Sequence, residues 1–251
     1  MSQAIAPTVQ IRCCGDEPHG VEPDHVVVMV DVIRSATTAM TAVALGRRCL
    51  LAETIDDAIA LAAGLPGALL AGELGGHMPF GFELNNSPAL VAARADVERP
   101  LVLVSTSGTH LARSAALSHP TFIASFRNHA AQAADLAAAG RAVALLGAAT
   151  RGEFRDEDQL CCSLIADALV RSGFEPRDET AEVIERWRGA PIGSIRASKS
   201  ADYLTRSGQA DDLEFVMSHV DDLAAVFRME GAEVCSVPVE GEGSTSATGT
   251  P

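Results

Sequence analysis

Short, almost wholly apolar runs recur along the chain. They are separated by stretches in which apolar positions return at helical spacing. The run at 25–30 (HVVVMV) is continuous and β-branched, as a strand buried on both faces requires. Similar runs sit at 49–52, 68–71, 101–104, 121–125 and 142–146. Between them, 34–45 is Ala-rich, carries Met40, Val43 and Ala44 on one face, and stops at Gly46. Thr54, Ile55, Asp56 and Asp57 resemble a capping box that opens a helix through 59–63. Residues 129–139 form a further helical pattern, closed by Gly140. Strands spaced by helices of this length predict a parallel or mostly parallel sheet covered on both faces.

The last third changes character. A long amphipathic helix is expected over 156–172, with helical stretches at 179–188, 195–206 and 213–219. Two runs at 223–228 and 232–237 flank Met229, Glu230 and Gly231 and predict a closing hairpin, which makes the sheet mixed. Beyond Pro238 no apolar period remains. Residues 239–251 are expected to be a disordered tail after a single domain over 1–238. The first dozen residues carry no clear assignment.

Composition narrows the chemistry. A chain of 251 residues, 47% hydrophobic, can bury a substantial core, and at 4% aromatic that core must be aliphatic. A net charge of −14 lacks the basic footprint that nucleic acids and anionic membranes select, so neither is an expected partner. No signal peptide and no apolar run of about 18 residues is visible, which predicts a cytoplasmic protein. Lys199 is the sole lysine. A lysine phosphate loop is thereby ruled out and Schiff-base chemistry disfavoured. Cys13, Cys14, Cys49, Cys161, Cys162 and Cys235 have no zinc spacing and read as reduced, mostly buried thiols.

Four segments follow predicted strands, where open α/β sheets gather ligands. In 31–38 (DVIRSATT), Asp31 can ligate Mg²⁺ and Arg34 can neutralise an anion. Ser35, Thr37 and Thr38, with free helix amides, suit phosphate oxygens. A helix cap with a surface ion pair would use the same residues. In 72–88, Glu73 directly follows a strand, where a carboxylate must be solvated, paired or metal-bound. Asn86 and Ser87 precede Pro88 and read first as a capped turn. In 105–109, Ser105, Thr106, Ser107, Gly108 and Thr109 make a hydroxyl-rich cradle or a simple cap. In 147–158, Asp156 and Glu157 suit a helix dipole, and a metal or substrate role for Glu157 or Asp158 is the sharper alternative. Asp-x-Asp, Cys-x5-Arg, Gly-x-Ser-x-Gly, Gly-x-Gly-x-x-Gly and His-Glu-x-x-His patterns are all missing.

Taken in order, these segments resemble the 2-phosphosulfolactate phosphatase (ComB) family. Residues 31–38 resemble its DVLRAxTT segment, Gly72 and Glu73 its GE, and Asn86, Ser87 and Pro88 its NSP. Residues 105–109 resemble its TTNGT, with Ser107 in place of Asn. Arg127 and Asn128 match an expected Asn. Gly152, Glu153 and Phe154 with Glu157 and Asp158 resemble GxFxxED. Residues 208–213 and Val237 with Pro238 fit its C-terminal pattern. The resemblance covers roughly residues 25–238.

It implies a three-layer α/β/α fold around a mixed, mostly parallel sheet. It also implies Mg²⁺-dependent hydrolysis of 2-phosphosulfolactate, or a related phosphorylated hydroxy acid, in coenzyme M biosynthesis. On this reading Asp31, Arg34, Glu73, Glu157 and Asp158 form the catalytic set, with Asp31, Glu73 and Asp158 toward the metal. The hydroxyl-bearing and Asn residues of the loops, with Arg127, Asn128 and Arg151, face a small anionic phosphorylated substrate. Beyond the metal, positive charge is expected from arginine alone: Arg34 for the phosphate, Arg127 and Arg151 for further anionic groups. Recruitment of the fold to other small-molecule chemistry and a catalytically silent ligand-binding protein are the alternatives. A homo-oligomer is compatible with the sequence.

Overall fold

The computed structural model describes residues 6–14, 17–150 and 152–238. The expected tail at 239–251 and the site candidate Arg151 lie outside these. Ten strands form one sheet: β1 (Thr8–Cys14), β2 (Val26–Val30), β3 (Cys49–Ala52), β4 (Leu69–Gly72), β5 (Leu101–Val104), β6 (Thr121–Ala124), β7 (Val143–Ala148), β8 (Glu175–Arg177), β9 (Ala225–Glu230) and β10 (Glu233–Pro238). Their order is β4-β5-β3-β10-β9-β6-β2-β7-β1-β8.

Helices alternate with these strands: α1 (Ser35–Ala44), α2 (Ile55–Ala63), α3 (Pro88–Ala92), α4 (Gly108–Ala116), α5 (His129–Ala139), α6 (Asp156–Arg171), α7 (Thr180–Trp187), α8 (Lys199–Arg206) and α9 (Ala210–Ser218). No helix among the described residues is long and apolar enough to cross a membrane.

The period-two alternation of the strands sorts the core into layers. Val26, Val28 and Val30 of β2 enter a core with α5, α6 and α7, whereas Val27 and Met29 enter one with α1 and α4. Val102 and Val104 of β5 face α2, while Leu101 and Leu103 face α1 and α4. The result is a three-layer α/β/α fold. Helix α1 is buried from Ser35 through Ala42. Its polar residues tolerate this because the hydroxyls of Thr37 and Thr41 donate to the carbonyls of Val32 and Thr37.

The sheet is mixed in a particular way. β4-β5-β3 is parallel, and so is β6-β2-β7-β1-β8. The β9–β10 hairpin joins them through three successive antiparallel pairings. The two parallel groups therefore run in opposite senses, yet the loops after β2 and β5 meet. Five inter-strand steps separate those strands, and at about 20–25° each the accumulated twist is roughly 100–125°. This rotation brings the loops together.

Three expectations change. β1 and β8 were not anticipated: Gln10, Arg12 and two cysteines interrupt the apolar signal of β1, and β8 reads Glu-Pro-Arg. The helix expected over 195–206 is two elements, a 3-10 helix (Ile192–Ala197) and α8. Ser198 divides them with extended backbone and accepts the amide of Ala201 on its hydroxyl. The hairpin strands begin at Ala225 and Glu233, so Met229 and Glu230 lie within a strand and not in its turn.

Candidate active site

The loops after β2, β4, β5 and β7 surround a cleft of about 410 Å³, closed on the far side by α8. Asp31 directly follows β2 at the base of the cleft and is 8% exposed. Burial pushes its carboxyl up to about 6, against the Ser35 hydroxyl, which donates to Oδ2 at 2.6 Å. The charges of Glu73 and Glu157 push it up further. Helix α4 begins against this carboxylate: a Cβ on Gly108 would lie 2.2 Å from Asp31 Oδ2 and from Ser35 Oγ. Only glycine permits that approach.

The first turn of α6 adds two more acids. Asp158 is raised well above the usual carboxylate range by burial and by the charges of Asp31 and Glu157, and its Oδ1 accepts the Val32 amide at 2.8 Å. Burial also raises Glu157, and neither of its carboxylate oxygens has a hydrogen-bond partner. Nearby Ser198 and Ser200 pull its pKa the other way but do not reach hydrogen-bond geometry. Asp156, the next residue back, points to solvent and fits the helix-dipole role alone.

Glu73 stands at the side of the cleft. Its carboxylate accepts the amide and hydroxyl of Thr106, both at 2.9 Å, and the amide of Gly76 at 2.6 Å. It thereby ties the loop after β4 to the loop after β5. Gly76 is fixed from the other direction: Tyr203 of α8 donates to its carbonyl at 2.7 Å, and a Cβ there would lie 2.5 Å from the same hydroxyl.

Arg34 lines the cleft while buried. One terminal nitrogen donates to Gln209 Oε1 at 2.6 Å and to Asp212. Asp212 also receives the Ser87 hydroxyl, and Gln209 the Asn85 amide at 2.8 Å. The segment 208–213 thus clamps Arg34 from α9, a link across 178 residues.

The cleft brings together Asp31, Arg34, Glu73, Asn86, Ser105, Thr106 and Ser107, and Glu157 and Asp158 flank Asp31. Other sequence candidates take supporting positions. Thr37 and Thr38 satisfy backbone carbonyls, Ser87 caps α3, and Thr109 pairs reciprocally with Ser105. Arg127 is not in the cleft. Its guanidinium is spent on Asp222 and Thr41 and lies over Phe215. Asn128 closes the turn before α5 by accepting the Ser125 amide.

Asp31, Glu73 and Asp158 do not close into a cage. Among the described residues only Glu22, Asp24 and His25 hold three ligand atoms within 4.8 Å of one another, and these precede β2 at its other end. The expectation of positive charge from arginine alone also fails, because Lys199 and Arg155 line the cleft mouth with Glu153 and Ser200. Lys199 stands at the start of α8, remote in sequence from every strand-end loop, and was therefore missed.

A sequence profile of the 2-phosphosulpholactate phosphatase family matches residues 15–231, which include every side chain of this cleft. The chain belongs to this family. Relatives described as probable 2-phosphosulfolactate phosphatases agree. One from Deinococcus radiodurans is 33% identical over 204 residues, 79% of this chain and 85% of the relative. Those from Symbiobacterium thermophilum and Thermus thermophilus are each 31% identical, over 76% and 78% of this chain and 85% and 84% of the relatives. Family membership thus rests on a match that contains the Asp31–Asp158 cluster and its arginine.

Proposed function

We propose that the protein is a Mg²⁺-dependent phosphatase acting on a small anionic phosphoester, 2-phosphosulfolactate or a related phosphorylated 2-hydroxy acid. The observation that carries this reading is the buried group of Asp31, Glu157 and Asp158 at the base of the cleft, beside Arg34. Burial raises all three carboxyls above their usual range, Asp31 and Asp158 also through their neighbours' charges, and two Glu157 oxygens have no donor. A divalent cation beside them favours their ionised forms. Mg²⁺ takes one or two carboxylates and fills its shell with water and phosphate oxygens, so an incomplete protein cage is what it uses. Asp31 and Asp158 would hold it, with Glu157 adding charge from behind. When bound it would neutralise developing charge and lower the pKa of a water.

The chain's own groups supply the rest. Arg34, held rigid by Gln209 and Asp212, offers its free edge to phosphate. The amides opening α4, with Ser105 and Ser107, take phosphate oxygens. Glu73, which lines the cleft outside the pair assigned to the cation, is the carboxylate acceptor for the proton that leaves the attacking water. Free, largely buried thiols support a reducing, cytoplasmic setting. The test is phosphate release from a panel of phosphorylated hydroxy acids with Mg²⁺ or with chelator. Turnover that needs Mg²⁺ is expected. No release from any member would overturn the phosphatase reading, and full turnover in chelator would overturn the metal.

A further inference from the structure

The cleft has two electrical halves. Its base is acidic, and its mouth carries a cluster that phosphate chemistry at the base does not use. Glu153 sits between two cations there. Lys199 Nζ reaches its two carboxylate oxygens at 2.9 and 2.8 Å, and Arg155 reaches one at 3.1 Å. Glu153 is held in a tight turn by reciprocal backbone bonds with Thr150. Lys199 pulls the Glu153 carboxyl below its usual range, so the cluster is a full anion between two cations and carries one net positive charge. Arg155 is mostly covered, and its Nε is buried, faces no acceptor and belongs to a side chain lining the cleft. A buried guanidinium edge without an acceptor is costly to leave empty. The chain's single lysine is also at this mouth, in a protein that otherwise uses arginine.

We infer that Arg155 and Lys199 form a subsite for a second anionic group on the substrate, a carboxylate or sulfonate, and that Glu153 is a built-in counter-ion which yields to it. The inference rests on the phosphatase reading for what lies at the cleft base. The anionic group replaces Glu153 at the terminal nitrogen of Arg155 and at Lys199 Nζ, and Glu153 turns outward to water, where it is already half exposed. The charges then balance: two cations meet the incoming anion in place of Glu153. An acidic protein thereby admits a multiply charged anion without carrying an open positive patch.

The experiment compares two phosphoesters, one with a carboxylate or sulfonate tail and one with a neutral tail, in Lys199→Gln, Arg155→Lys and Glu153→Gln. The kcat/KM preference for the anionic tail should fall about tenfold in Lys199→Gln and in Arg155→Lys, since each loses a charge-assisted or fork-shaped contact. It should rise in Glu153→Gln, which frees both cations. Calorimetry with sulfolactate, which has no phosphate, supplies an independent measurement: binding to the wild type should weaken about tenfold in Lys199→Gln. An unchanged preference, or equal losses on both substrates, overturns the subsite. If the wild type releases no phosphate but binds sulfolactate through Lys199, the subsite stands and the phosphatase reading falls. If binding is indifferent to Lys199, the subsite falls.

Discussion

Asp31 concentrates most of what the site has to reconcile. Its carboxyl is raised from 3.8 to about 6 by burial, so the folded protein holds a proton between those values that the unfolded chain has released. Its stabilising contribution is therefore complete below about pH 4 and is lost as pH climbs through about 6, on the order of 2–3 kcal/mol. Asp31→Asn should accordingly melt above the wild type at pH 8 in chelator and level with it near pH 4. A melt at or below the wild type at pH 8 would refute this. The same change should cost at least about 100-fold in phosphate release, since it removes a charged group from the reacting centre. Gly108→Ala places a methyl 2.2 Å from that carboxylate. It should destabilise by about 1–3 kcal/mol and suppress turnover, read by denaturant unfolding alongside kinetics. Asp31, Arg34 and Ser35 were legible in the sequence because they share one loop. Lys199 was not, because nothing local marks a residue whose partner is brought to it by the fold, and Asp212 stood out only as part of the 208–213 pattern, with no role attached.

Between elements, two arginines that look alike in sequence do different work. Arg34 belongs to a buried pair with Asp212, whose side chains are 4% and 3% exposed. Asp212→Ala leaves that guanidinium uncompensated, so a loss of about 3–5 kcal/mol is expected along with a fall in kcat/KM. Gln209→Ala should retain the fold and lose part of the rate. Arg127 instead staples the turn before α5 to Asp222 and to Thr41 of α1. Arg127→Lys should lower the melting temperature and leave the preference between anionic and neutral tails where it was. A changed preference would return Arg127 to the site. Both arginines follow strands, which is all that pattern can register; only the packing of α9 and of the loop before β9 separates them. Pattern also recovered β2, β5 and β7, where apolar runs are unbroken, and α6, where apolar positions return at helical spacing. It missed β1, whose buried Val9 and Ile11 are interleaved with Gln10, Arg12 and cysteines.

At the scale of the molecule, ligand and fold are linked. If Mg²⁺ relieves the repulsion at the cleft base, it binds the folded protein alone and should stabilise it at pH 8, by about 2.7 kcal/mol at 100 times its dissociation constant, which raises the melting temperature. Calorimetric scans with and without Mg²⁺ check this in the absence of substrate, and a flat response removes the cation from Asp31. The hairpin at the middle of the sheet bears on a different matter, the order in which the chain can assemble. β9 and β10 are synthesised after every other strand, yet they lie between β3 and β6. Until they leave the ribosome, a nascent chain carries two parallel half-sheets, each with an unpaired apolar edge, CLLA on one and TFIA on the other. Such edges recruit other chains. A chain cut after residue 224 should therefore sediment as aggregate on release, and adding the missing segment as a peptide during refolding should return it to solution.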